Sequence, residues 1–416
     1  MKGWDLKRID ELGKIVTGKT PSCDYPDEFG SEYPFITPSD IPNTQKQISV
    51  ERFLSEKGME SHKSIRLPPK TTCVVCIGAT IGKVCTTKVQ SFSNQQINSI
   101  ITNEKNDPDF VYYLATTLKD ALVSFAGGAA TPIVNKSVFS SIKVLAPAKK
   151  HQRKIAAILS AYDDLIKINN LRIAILEKMA EELYREWFVR LRFPGHDNVK
   201  IVKGVPEGWE VKQITQIYRT SSGSTPSREK SEYYGGNIPW VKTGELKKTF
   251  LIKTEEQITE NALENSSAKI FPKHTIILAM YCAMGELSIL SLDAATNQAC
   301  CAFLPKYDYL SYPFSYHLIR NVRQSLINLS FGAAQQNLSQ EIIKKFKILV
   351  PQKELIQKFS EVVLPVFKTI ENFYTQNDRL KIFRDRLLSR LMSGKIDVEN
   401  MDIQFPASMQ EELVHA

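Results

Sequence analysis

The chain repeats itself. Trp4-Asp5-Leu6-Lys7 matches Trp209-Glu210-Val211-Lys212, and Gly18-Lys19-Thr20-Pro21-Ser22 matches Gly223-Ser224-Thr225-Pro226-Ser227, both 205 residues apart (209 − 4). Pro34-Phe35-Ile36 meets Pro239-Trp240-Val241 at the same offset, and Asp40-Ile41 meets Glu245-Leu246. Farther on the offset is 203, pairing Pro69-Lys70 with Pro272-Lys273, Gly82 with Gly285, and Asn94-Gln95 with Asn297-Gln298. It is 204 for Gly128-Ala129-Ala130 with Gly332-Ala333-Ala334 and for Pro147 with Pro351. A self-similarity sustained over most of 416 residues, with drift that small loop indels explain, calls for two copies of one fold rather than one large core.

Each copy has an irregular first part, in which short apolar runs such as 72–78 and 275–280 lie between Gly, Pro, Ser and Asn. Those runs read as strands, giving a mixed α/β globule over 1–147 and another over 206–351. After each globule come roughly 40 residues with almost no Gly or Pro, the composition of a long helix. The helices are expected over 148–192 and 352–395, with a linker at 193–205. The tail at 396–416 has no clear periodicity and is expected to be partly disordered.

Both helices carry a seam with alternating four-three spacing. In the first it is Ile155, Leu159, Tyr162, Ile166, Asn169, Ile173, Leu176, Ala180, Leu183 and Trp187. In the second it is Phe359, Val363, Val366, Ile370, Phe373, Asn377, Leu380, Leu387 and Leu391, interrupted by Arg384. Either stripe alone would expose a large apolar surface, so the two are expected to pack against one another, antiparallel if a pseudo-twofold axis relates the copies. Such a pair, centred near residues 171 and 375, sets Asn169 opposite Asn377, where a lone polar seam residue fixes register; solvent-facing asparagines at the seam edge are the alternative. Ile158, Leu165, Ile175, Met179 and Phe188, with Phe367, Phe383 and Leu388, are apolar off the seam and need cover from the globules or from a partner.

The composition, 43% hydrophobic and 24% charged, is globular, and the formal charge of +9 tilts toward a polyanionic partner without excluding a merely solubilising surface. Seven cysteines follow no disulfide framework, the start lacks the apolar stretch of a signal peptide, and no run approaches the roughly 18 to 20 apolar residues that span a bilayer, so a soluble protein of the reducing cytoplasm is expected. Cys73-Val74-Val75-Cys76 has the spacing of a zinc half-site but no second pair, and Ile276 and Ala279 replace the cysteines in the other copy, which favours buried strand cysteines. The six histidines form no metal-binding spacing. Gly78-Ala79-Thr80-Ile81-Gly82-Lys83 lacks the Gly-Lys-Ser/Thr ending of a phosphate loop, and no Gly-rich methyl-donor loop or Asn/Asp-Pro-Pro-aromatic segment is present. Glu210-Val211-Lys212 imitates a nuclease fragment but belongs to the repeated entry strand.

The stretch Leu183-Tyr184-Arg185-Glu186-Trp187-Phe188-Val189, with Arg192-Phe193-Pro194-Gly195-His196 and Val205-Pro206-Glu207-Gly208-Trp209, resembles the central region of specificity subunits of type I restriction-modification enzymes. Leu387-Leu388-Ser389-Arg390-Leu391-Met392-Ser393-Gly394-Lys395-Ile396 resembles their C-terminal helix end. The resemblance runs through the order globule, helix, globule, helix. It implies an α+β protein with two target-recognition domains on two long antiparallel coiled-coil helices. It also implies a non-catalytic subunit that binds two half-sites in double-stranded DNA and docks two copies of a modification (methyltransferase) subunit and, in restricting systems, restriction subunits. No cofactor is expected in this chain; S-adenosylmethionine belongs to the partner methyltransferase.

Base edges are read by amides, hydroxyls and cations on loops, while phosphate contacts position a domain. The loops beside the expected strands offer Lys19, Thr20, Ser22, Lys83, Asn94, Gln95, Gln96 and Lys136 in the first copy. The second offers Ser224, Thr225, Ser227, Tyr281, Asn297, Gln298, Gln335, Gln336 and Asn337. Because Asn94-Gln95 and Asn297-Gln298 recur in copies that read different sequences, a scaffold role suits them better, and positions that differ between copies are the stronger specificity candidates. An adaptor that joins proteins through two domains on a coiled-coil bracket, without touching DNA, is the alternative from another class; salt-dependent DNA affinity separates the two.

Overall fold

The computed structural model describes residues 3–41, 46–126, 132–330 and 337–410. The chain divides into two compact units, one of residues 1–167 with 379–416 and one of residues 168–378. Each unit combines one globule with half of each long helix.

In the first unit a four-stranded antiparallel sheet runs in the order Gly13–Thr17, Ile97–Thr102, Thr72–Val75, Val84–Thr86. Thr72–Val75 is buried along its whole length, as its unbroken run of small and apolar residues requires, and it holds Cys73; Cys76 just beyond is buried too. One face of the sheet, through Ile15, Val74 and Ile100, packs on Phe110, Leu114 and Leu122 of the helices Pro108–Thr116 and Lys119–Phe125. The first of these helices starts at a capping Asp107 followed by Pro108, which needs no backbone N–H there. The other face, through Val16, Cys73, Val75 and Ile97, meets Ile36 of a second sheet ordered Phe29–Gly30, Arg52–Leu54, Tyr33–Ile36, Phe92–Ser93. The entry strand Trp4–Arg8 pairs antiparallel with the exit strand Lys143–Pro147, bringing the two ends of the globule together.

The second unit repeats the plan. Its main sheet runs Tyr218–Ser222, Cys300–Pro305, Ile276–Ala279, Leu287–Leu290, with Phe250–Leu251 added parallel at the edge. Thr72 faces Ile100 in the first copy and Ile276 faces Phe303 in the second, so strand pairing shifts the repeat by one residue here and sets Cys73 against Ile277 and Cys76 against Met280 rather than against Ile276 and Ala279. The entry strand Glu210–Gln213 again pairs with the exit strand Lys347–Val350. The covering helix Tyr312–Ser330 is one continuous element of 19 residues.

The first long helix spans Lys149–Tyr184 and continues as a π turn over Arg185–Val189; the second spans Lys353–Met392 and passes through an exposed Pro365. Their pairing is antiparallel. In the second unit Asn169 meets Asn377, Glu177 meets Tyr374, and Tyr184 meets Phe359, so partner numbers fall as residue numbers rise. The Asn169 amide donates to Asn377 Oδ1 at 3.0 Å and Asn377 donates to Asn170 Oδ1 at 2.9 Å, with Asn169 and Asn377 both buried. In the first unit Arg384, the interruption in the second seam, donates to Asp163 at 2.6 Å.

Most of the seam is buried or half-buried, but it shifts. Ile155, Leu159, Ile166, Ile173, Phe359, Val363, Ile370 and Leu391 are buried, and Tyr162, Leu176, Val366, Phe373, Leu380 and Leu387 are half-buried. At the end of the first helix the buried stripe is Ala180, Tyr184, Phe188, while Leu183 and Trp187 are half-buried. Phe188 and Phe367, expected off the seam, are core residues. The cause is geometric: a straight helix of 3.6 residues per turn drifts from a 3.5-residue repeat, and here it also packs on a globule, which widens the apolar face. Ile158 and Leu388 pack on the first core, whereas Leu165, Ile175, Met179 and Phe383 stay exposed.

The tail folds back on the first unit as far as residue 410. Val398 and Met409 are buried, and the Lys154 ammonium donates to the carbonyls of Val398, Glu399 and Met401 at 3.1, 2.8 and 2.8 Å. No described helix is long and apolar enough to cross a membrane.

Candidate nucleic-acid interface

The antiparallel main sheet places four strand termini at one end. Gly13–Thr17 ends there, Ile97–Thr102 begins there, Thr72–Val75 ends there and Val84–Thr86 begins there, because Thr17 faces Asn98, Val75 faces Ile97 and Val74 faces Val84. The loops 18–22, 77–83 and 94–96 therefore form one edge. Residues 132–136 join it, since Gly78 N–H donates to Pro132 O and Cys76 N–H to Gln96 O. Lys19, Thr20, Ser22, Lys83, Asn94, Gln95, Gln96 and Lys136 all lie on this edge. Lys136 opens the helix Lys136–Ser141, capped by Asn135.

The second globule builds the same edge from 223–227, 280–286, 297–299 and 337–340. Ser222 faces Cys301, Ala279 faces Cys300 and Leu278 faces Leu287, while Met280 N–H donates to Ala299 O and Leu338 N–H to Met280 O. Ser224, Thr225, Ser227, Tyr281, Asn297, Gln298 and Asn337 share this edge; Gln335 and Gln336 lie outside the described residues.

Several of these side chains bond within the protein. Thr20 Oγ1 donates to Gln95 Oε1 at 2.7 Å, and Thr225 makes the same bond to Gln298. Asn94 Oδ1 accepts from Gln96 N–H and Asn297 Oδ1 from Ala299 N–H, both at 3.2 Å, closing equivalent turns. Gly18 and Gly223 lie so close to the opposing strand that an added Cβ would sit 2.2 Å from Ser93 O and 1.9 Å from Thr296 O. That contact explains the recurring glycine of the Gly-x-Thr-Pro-Ser loops.

Against this shared frame other positions change. Lys19 becomes Ser224, Lys83 becomes Glu286, and Lys136 becomes Gln340, whose amide donates to Ser222 Oγ at 3.0 Å. Among the described residues none of Lys19, Lys83 and Lys136 forms a salt bridge.

Sequence reasoning missed Arg228. Its guanidinium lies 4.3 Å from the Tyr234 ring centre and 5.1 Å from that of Trp240, and it donates to Glu256 at 2.6 Å. Arg228 and Lys242 beside Glu256 hold its carboxyl below the usual range. The same aromatics pin the loop, Trp240 Nε1 donating to Ser224 O and the Tyr234 hydroxyl to Pro226 O. The only sequence signal is an arginine directly after Ser227 with aromatics downstream. Among the described residues no group of three or more His, Cys, Asp or Glu is placed to hold a metal ion.

Two copies of a domain whose loops gather at one sheet edge, each tied to long paired helices, define a two-domain recognition protein. The model of the type I restriction modification DNA specificity domain matches residues 1–178 and again 206–381. The type I restriction enzyme MjaIX specificity subunit of Methanocaldococcus jannaschii is 30% identical over 415 residues, covering 96% of this chain and 95% of that protein. The HindI specificity subunit of Haemophilus influenzae is 26% identical over 70% of this chain and 77% of its own. A solved S subunit of a type I restriction-modification system from M. genitalium has the same fold, with a TM-score of 0.58, 16% identity, and 93% of this chain and 96% of that one covered. The chain belongs to the type I restriction-modification DNA specificity family and is a specificity subunit of that class.

Proposed function

We propose that each globule reads one half of a bipartite double-stranded DNA site with its loop edge, and that the helices dock two copies of a modification subunit. In this reading 1–147 and 206–351 are the target-recognition domains, 148–192 and 352–395 the helices, 193–205 a linker and 396–416 a tail. The observation that carries it is the twice-built edge: a constant frame of Thr20–Gln95 and Thr225–Gln298 holds positions that differ, Lys19 against Ser224 and Lys136 against Gln340. A reader of two unlike half-sites needs that combination, a fixed loop geometry with variable donors and acceptors. Lys19, Lys83, Lys136, Ser224, Tyr281 and Asn337 are the proposed readers, Thr20, Asn94, Gln95, Gln96, Thr225, Asn297 and Gln298 the frame, and Ser22, Ser227, Gln335 and Gln336 supplementary contacts.

Chemistry falls to partners: S-adenosylmethionine and the transferred methyl group belong to the modification subunit, and cleavage, where it occurs, to restriction subunits, all in the cytoplasm. The exposed Ile168, Leu171, Ile175 and Met179, spaced three and four apart on the first helix, suit burial against such a partner. The test is to map methylated adenines in cells carrying the complex. Lys19→Ser with Lys136→Gln should change one half-site and leave the other and the spacer intact. An unaltered site, or loss of both halves together, overturns the assignment of one edge to each half.

A further inference from the structure

Beside the loop edge of the second globule lies a cleft walled by four separate stretches of chain. Lys247 and Lys248 precede the edge strand Phe250–Leu251, Glu286 ends the loop 280–286, Arg320 and Arg323 lie on the helix Tyr312–Ser330, and Glu177 comes from the first long helix. Four cations thus line the cleft with two carboxylates, and a third carboxylate, Glu181, lies on Arg320. Glu177 accepts from the Tyr374 hydroxyl at 3.1 Å, and Arg320 reaches Glu181 at 3.3 Å. Lys248 lies 5.6 Å from the Tyr374 ring centre, and among the described residues neither Lys247 nor Arg323 forms a salt bridge. Arg320 is thus paired, and among the described residues the unpaired positive charge at the opening comes from Lys247, Lys248 and Arg323.

The cleft opens at the recognition end of the sheet. Phe250–Leu251 runs parallel to Leu287–Leu290, so both strands start there, with Ile289 N–H bonded to Thr249 O at 2.8 Å. Gly285 packs so near the helix that an added Cβ would lie 3.3 Å from Arg323 Cγ, which joins the reading loop directly to the cleft wall. Among the described residues the first copy does not repeat the arrangement. With Phe110, Leu114 and Leu122 aligned on Phe314, Leu318 and Leu326, Thr116 stands for Arg320 and Lys119 for Arg323, and Lys83 stands for Glu286.

We propose that this cleft seats a backbone phosphate of duplex DNA, a sequence-independent anchor that belongs to the second globule alone. The proposal rests on the specificity-subunit reading above. Lysine and arginine neutralise a phosphodiester and release its condensed counterions, so the anchor contributes affinity and orientation but no base preference. An acidic segment of a partner subunit has the same chemistry. DNA is favoured because the wall residue Glu286 belongs to the recognition loop itself.

The experiment measures DNA affinity of the complex assembled with its modification subunits, against salt, using one duplex with the methylated site and one without. Lys247→Gln with Lys248→Gln, and separately Arg323→Gln, should weaken both duplexes by the same factor and lower the slope of log affinity against log salt by about 0.9 for one lost phosphate contact. Glu286→Gln should act in the opposite direction and tighten both. Unchanged slopes in all variants overturn the cleft while leaving the specificity reading in place. Loss of the modification subunit on co-purification instead assigns the cleft to an acidic partner and also overturns it. A parent complex whose DNA affinity ignores salt overturns the functional reading and the cleft with it.

Discussion

His317 sits in the helix that covers the second sheet, 3% exposed, its ring stacked 5.4 Å from Tyr184 and edge-on to Phe367 at the same distance. Its Nε2 is buried with no hydrogen-bond partner. Burial, with a smaller contribution from the Arg320 charge, pushes its pKa down to about 3, against an unfolded value of roughly 6.5. The unfolded chain then binds more protons between those values, so this residue's contribution is whole above about pH 6.5 and is lost as the pH falls toward 3. Phenylalanine keeps the stack and removes both the proton and the orphan nitrogen. His317→Phe should melt progressively higher than the parent as the pH falls from 7 to 4, read by calorimetry; a difference that does not grow refutes the buried neutral imidazole.

At the scale of elements, the two globules are fixed to their helix halves by different chemistry. The second uses aromatics, Tyr184, Phe188, Phe314 and Phe359 meeting with ring centres 5.1 to 6.3 Å apart. The first uses a buried polar chain, in which the Tyr113 hydroxyl and Arg384 both donate to Asp163 at 2.6 Å, and Lys46, paired with Asp109, donates to Ser160 at 3.4 Å. Arg384→Ala removes the cation that pairs the buried Asp163 carboxylate, leaving it the Tyr113 hydroxyl, and should cost about 3 kcal/mol. Replacing both Asp163 and Arg384 by leucine should cost less, by denaturant unfolding followed through hydrogen exchange in the first unit. Equal losses would mean that solvent already screens the pair. Elements of this scale were largely legible in the sequence, because offsets between repeats, helix composition and seam periodicity need no tertiary information. Of the two readings open for Asn169 and Asn377, facing each other or facing solvent, the antiparallel pair centred near residues 171 and 375 is the one found. The displacement from Trp187 to Phe188 was not legible, since it depends on a globule pressing on the helix and on a π turn that no local pattern marks. Arg228 and the cleft charges were equally hidden: Lys247, Arg320 and Glu177 are brought together from distant stretches, and the copies differ at those positions.

For the whole molecule, both long helices begin in one unit and end in the other, with 36 residues in the first and 40 in the second. At 1.5 Å per residue they measure about 54 and 60 Å, somewhat under two turns of B-DNA. If they set the interval between half-sites, removing or adding seven residues in both should change the spacer and preserve both half-sites, as read by methylation mapping; an unaltered spacer refutes the ruler. The sharing of helices also has a temporal side. Residues 168–378 form one uninterrupted segment, whereas the unit holding 1–167 also needs 379–410, including the carbonyls that receive Lys154. On a ribosome the earlier-made globule waits, its Lys154 without the carbonyls of Val398, Glu399 and Met401, while the later-made one already has every part it requires. Synthesis order and completion order are reversed, and the nascent first half is the stretch most exposed to misassociation before the last thirty or so residues emerge.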